Sequence, residues 1–237
     1  MIGSIVSLMS AVALGGAVVV FMNNKKQTLI KLMLAFSGGF LLSIAFVHFV
    51  PALYEDGTES VGLYILIGFL IQLILEFFSG GIEHGHVHLH PGKSIPLTML
   101  LSLCVHSFIE GIPLGGGNIV EHHGHSHGND NSLLLGILFH QFPVAIALMT
   151  VLINSGISKA KSWVYLGIFG IMTPCGLLLG YWQKDASLDF SLIMAIVVGM
   201  FLHISTTILF EISENHKFNL IKLGAIVGGA AIALLMH

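Results

Sequence analysis

The sequence predicts an all-α integral membrane protein, a bundle of eight transmembrane helices, and three observations carry that prediction. Hydrophobic residues make up 55% of the 237 residues and charged residues only 9%, where a soluble domain of this length carries about 25% charged residues. Mean hydropathy is +0.92. The apolar residues also fall into eight runs of roughly 20 residues, the helical length that crosses a hydrocarbon core of about 30 Å. The connections are so short that no soluble domain fits between them, so a single transmembrane domain over residues 1–237 is expected.

The first run, Ile2 to Met22, has no basic leading segment and no clear small-residue cleavage site, so it reads as a retained span and not a signal peptide. Asn23, Asn24, Lys25 and Lys26 end it. Further spans are predicted at Leu29 to Tyr54, Val61 to Phe78, Ile95 to Val120, Leu133 to Ile153, Trp163 to Trp182, Leu188 to Phe210 and Leu220 to Met236. Lysines fall around the odd-numbered connections: Lys25, Lys26 and Lys31, then Lys93, then Lys159 and Lys161, then Lys217 and Lys222. Only Lys184 lies in an even one. Short cytoplasmic loops carry the positive excess, so both termini are expected on the extracytoplasmic side of a plasma (inner) membrane.

Composition excludes other classes. With a net charge of -3 and no arginine, the chain has no electrostatic footing for nucleic acid. Cys104 and Cys175 both sit in apolar runs and give neither a disulfide framework nor a CxxC site. The oddity is histidine, 14 against nine lysines. Eight form two clusters, His84, His86, His88 and His90, then His122, His123, His125 and His127. Such tracts read as metal-binding loops, with a merely solvated polar loop as the bland alternative. By the lysine rule the first lies inside and the second outside.

Within the spans, ionisable side chains are few: His48, Glu76, His106, Glu110, His140 and His203, with Glu55 and Glu211 near ends. A charge near the bilayer centre costs about 2.5–3.5 kcal/mol on insertion scales, which makes each a functional-site hypothesis. His106 and Glu110, in VHSFIEGIPLG, are one helical turn apart and share a face. The fifth span supplies His140 in LFHQFPVAIAL, just ahead of Pro143. Pro143 and Pro113 cannot donate to the carbonyls of Phe139 and Ile109, and the freed oxygens neighbour the proposed ligands; an ordinary helix kink is the equal alternative. His106, Glu110 and His140 make an N/N/O donor set that suits zinc, iron, nickel or related ions (cadmium, manganese, cobalt) over calcium or magnesium. Taken singly, His48 or His203 is as well explained as a hydrogen-bonded structural histidine.

HSFIEG followed by HQFP in the next span resembles the ZIP (Zrt-, Irt-like protein) family of divalent-metal transporters. Residues 37–55, Glu76 and residues 200–214 are similar to that family's second, third and seventh spans. The resemblance implies a ZIP-like bundle with inverted repeats of spans 1–3 and 6–8 around spans 4–5. It also implies a metal site at His106, Glu110 and His140, filled from outside and emptied to the cytoplasm. Family members often carry a second, adjacent metal site, but here its positions read Ser107, Gln141, Val144 and Thr173. One primary site is therefore expected, with Ser107 and Gln141 as auxiliary polar groups and His48, Glu76, His203 and Glu211 along the pathway. The expected partners are the metal ion, as substrate, and the lipid bilayer, with a homodimer among the assemblies open to the chain. Two rivals stand beside uptake. A metal exporter of another family would carry aspartate-rich membrane sites, and an intramembrane zinc hydrolase would use Glu110 to activate water, yet the sequence has no HExxH and no nucleophile elbow.

Overall fold

A computed structural model of the chain describes residues 1–21, 27–55, 60–82, 97–116, 132–184, 189–210, 213–214, 217–218 and 220–236. The two loop histidine clusters and Glu211 lie outside the described residues. Helices occur at all eight expected spans: α1 (Ile2–Phe21); α2 (Gln27–Ile44) continuing into α3 (Val50–Glu55); α4 (Val61–Ser79); α5 (Leu97–Gly111); α6 (Ser132–Asn154); α7 (Lys159–Gln183); α8 (Phe190–Phe210); and α9 (Leu220–Leu235). Among the described residues, seven spans are long and apolar enough to cross a membrane, and α9, at 16 residues, is shorter. The chain is an integral membrane protein. A two-residue antiparallel pair, β1 (Ser213–Glu214) and β2 (Lys217–Phe218), reverses the chain between α8 and α9.

Two spans are less regular than their hydropathy suggests. The second is interrupted by a π turn at Ala45–Phe49, where the Val50 amide bonds back to the Ala45 carbonyl. Pro51 lies just beyond and has no N–H for the Val47 carbonyl, so the wider turn absorbs the break in the α-helical ladder. The fourth span, expected to run on to Val120, leaves α geometry at Gly111 and tightens to a 3₁₀ turn at Ile112–Gly115, with Pro113 in its first positions. Pro143 and Pro174, by contrast, sit inside continuous helices.

The bundle turns apolar side chains outward and holds polar groups inside. Exposed side chains include Leu66, Leu70 and Phe77 on α4 and Val164, Ile168 and Ile171 on α7, whereas Gln72, Glu110, Gln141 and Thr173 are buried. The fifth span is the hub: 72% of the apolar 18-residue stretch of α6 is buried inside the protein, against 17% of that of α4. Helix α1 packs on α6, and α5 on α7; α2 packs on α9, and α4 on α8. Exchanging spans 1, 2, 3 and 4 with spans 6, 7, 8 and 5 turns each of these pairings into another. That is the packing of the inverted repeat implied by the resemblance.

Reciprocal glycines hold the equivalent pairs together. A Cβ on Gly39 of α2 would lie 2.1 Å from the Ile226 carbonyl oxygen, and one on Gly229 of α9 would lie 2.0 Å from that of Phe36. Gly199 of α8 and Gly68 of α4 meet the Ile65 and Ile196 carbonyls in the same way, at 2.0 and 1.9 Å. Lipid supplies no hydrophobic drive for helix association, so backbones this close are held by packing that only glycine permits.

Candidate metal site

Helix α5 presents His106 and Glu110 one turn apart, and their side chains meet: His106 Nε2 is 3.3 Å from Glu110 Oε2, with both residues buried. His140 comes from α6 and is also buried. Its ring stands edge-on to that of His106, centroids 5.9 Å apart and planes at 83°. The three predicted primary residues are thus neighbours in the space between α5 and α6. Among the described residues, however, no three histidine, cysteine, aspartate or glutamate side chains already converge as a metal-binding group.

Glu110 is held through one carboxylate oxygen. Gln141 Nε2 donates to Glu110 Oε1 at 3.1 Å and also to Thr173 Oγ1 of α7. Gln141, expected as an auxiliary group, is thus in hydrogen-bond contact with Glu110. Ser107, though buried, makes no hydrogen bond through its Oγ to any described residue. Thr173 and Val144, where the resemblance would put further ligands, are buried, and the Gln141–Thr173 hydrogen bond spans two of these positions.

The remaining polar residues sit at other levels of the bundle. His203 of α8 pairs with Glu76 of α4, Nδ1 to Oε2 at 3.2 Å, and its ring packs edge-on to Phe69 at 4.7 Å. His48 is half-buried in the π turn, packed against Phe49, and lines a small cavity with Ser43, Ser132 and Met236. Ser132 opens α6, eight residues or about 12 Å along the helix from His140.

The structure adds one residue that sequence reasoning missed. Gln72 of α4 is fully buried, and its Oε1 lies 2.9 Å from His106 Nδ1. The signal was present in QLILE: Gln72 and Glu76 are four residues apart and share the face of the third span that meets the bundle. Helix α4 thereby touches both polar clusters, and Ser102 of α5 ties the two helices further by donating to the Leu75 carbonyl.

Glycines bring α5 and α7 together around this site. A Cβ on Gly111 would lie 2.2 Å from the Thr173 carbonyl oxygen, and one on Gly176 would lie 2.0 Å from that of Phe108. The backbone that carries Glu110 is thus seated directly on the helix that carries Thr173.

A model of the family described as ZIP Zinc transporter matches residues 82–237, well over half of the chain. The chain is similar to a protein named Zinc transporter ZIP1 from Takifugu rubripes, 29% identical over 123 residues that cover 49% of this chain and 37% of that protein. It is also similar to one named Zinc transporter ZIP9 from Micropogonias undulatus, 23% identical over 165 residues covering 65% of this chain and 51% of that protein. The chain spans about half or less of the length of these curated relatives. Their names, like the family's, are those of transporters and not of enzymes. From the paired motifs of the fourth and fifth spans, the helical bundle and the match over residues 82–237, the chain belongs to the ZIP zinc transporter family.

Proposed function

We propose that the chain moves a divalent transition-metal ion, zinc foremost, across the plasma membrane into the cytoplasm, with His106, Glu110 and His140 as its ligands midway. The observation that carries this reading is the buried contact between His106 Nε2 and Glu110 Oε2 with His140 edge-on beside it. Two imidazoles and a carboxylate suit zinc, and a fourth position is left to water. Ionisable side chains are costly inside a bilayer, so a cluster of them in the bundle interior favours a cation pathway over lipid-facing defects.

The outer histidine loop, His122 to His127, would raise the local concentration of the ion. The inner loop, His84 to His90, would receive it, and an inside-negative potential would assist by about 2.3 kcal/mol per charge per 100 mV if transfer is electrogenic. A single ion is favoured: at the positions of a second ligand set, Gln141 bonds to Thr173 and Val144 is apolar. Release requires the helices around the site to rearrange, and the inverted pairing of spans is of the kind that supports alternating access.

The test is zinc uptake into proteoliposomes. Replacing His106 and Glu110 together by alanine is expected to reduce uptake to the level of empty vesicles. Uptake at the parental rate by that double variant would remove the proposed mechanism.

A further inference from the structure

His106 has two ring nitrogens, and the structure gives them different neighbours. Nδ1 faces the Gln72 side-chain oxygen at 2.9 Å, and Nε2 faces a Glu110 carboxylate oxygen at 3.3 Å. An amide oxygen only accepts, so with Gln72 Oε1 facing it Nδ1 makes this bond only in the form that carries the hydrogen there. In the neutral ring that leaves the lone pair on Nε2, aimed at the carboxylate. A cation coming within reach of both atoms can be held by the two together.

We propose that Gln72 is a positioning residue that holds His106 in its Nδ1–H form, so that Nε2 is presented as a metal ligand on the same side as Glu110. This rests on the metal-site reading above. The opposite arrangement shows why the third span matters. Were the Gln72 amino group turned toward Nδ1, the hydrogen would sit on Nε2 and bond to Glu110, and the ligand atom would be masked. Histidine ligands commonly donate their second ring N–H to an oxygen acceptor, and loss of that acceptor typically weakens metal binding by about 10–100-fold. In this chain the acceptor comes from a neighbouring span, which makes the ligand's readiness depend on how α4 lies against α5.

Two measurements test the proposal. In ¹⁵N-histidine-labelled, zinc-free protein purified in detergent, the His106 resonances, assigned by their loss in His106→Ala, should report hydrogen on Nδ1 and none on Nε2; hydrogen on Nε2, alone or with Nδ1, would overturn the proposal without any change to Gln72. In proteoliposomes, Gln72→Leu should raise the half-saturating zinc concentration by about 10–100-fold. Gln72→Glu, whose carboxylate also accepts from Nδ1, should stay near the parental value. Equal behaviour of the two folded variants would contradict the tautomer role. If His106→Ala leaves uptake unchanged, the metal-site reading itself fails; if His106→Ala abolishes uptake while Gln72→Leu does not alter it, only the role of Gln72 fails.

Discussion

Glu110 is the residue whose surroundings are most completely accounted for. One carboxylate oxygen takes the Gln141 amide proton and the other faces His106, while Gly111 next to it seats the backbone on α7. Gln141→Leu would leave the first oxygen buried with no donor from α6, at about 1–3 kcal/mol. The metal-free protein should then melt several degrees lower in detergent, since each kcal/mol moves the midpoint of a protein of this size by about 2–4 °C. An unchanged midpoint would mean that Glu110 does not depend on Gln141. At this scale the sequence was informative where charge was concerned. His106, Glu110 and His140 stood out because ionisable groups are costly in lipid. Gln72 did not, because an amide raises no such alarm and its role depends on which ring nitrogen it meets.

At the scale of the element, span positions follow from hydropathy, and the departures follow from backbone chemistry that hydropathy does not register. The π turn at Ala45–Phe49 and the 3₁₀ turn at Ile112–Gly115 both adjoin prolines, but Pro143 and Pro174 leave their helices continuous. A missing N–H does not by itself say whether the ladder widens, tightens or carries on. The glycine contacts were hidden for a similar reason: abundance suggested close packing, and only the folded chain pairs Gly111 with Thr173 and Gly176 with Phe108. Gly176→Val would drive a side chain into the Phe108 backbone, which no rotamer change relieves. A loss of stability at or above the usual overpacking range of about 1–3 kcal/mol is expected, read as a lower thermal midpoint. Gly167→Val, on the same helix with nothing within 4 Å of its Cβ position, should be neutral by comparison.

For the whole molecule, the eight spans and the family were legible in the chain, but the symmetry was not. A trace of it lies in similar glycine-phenylalanine-leucine stretches at residues 38–42 and 198–202. The structure gives that trace a physical meaning, since Gly39 and Gly199 occupy exchanged positions in the α2–α9 and α8–α4 contacts. The same exchange maps α5 onto α6, the two helices that carry the proposed ligands. The most direct test of the central claim is therefore the location of the ion itself. In zinc-soaked crystals, anomalous scattering across the zinc edge should show one peak within the bundle, about 2.0–2.2 Å from a nitrogen of His106, a nitrogen of His140 and a carboxylate oxygen of Glu110. A zinc peak held by Glu76 and His203 with none at His106 would contradict the account.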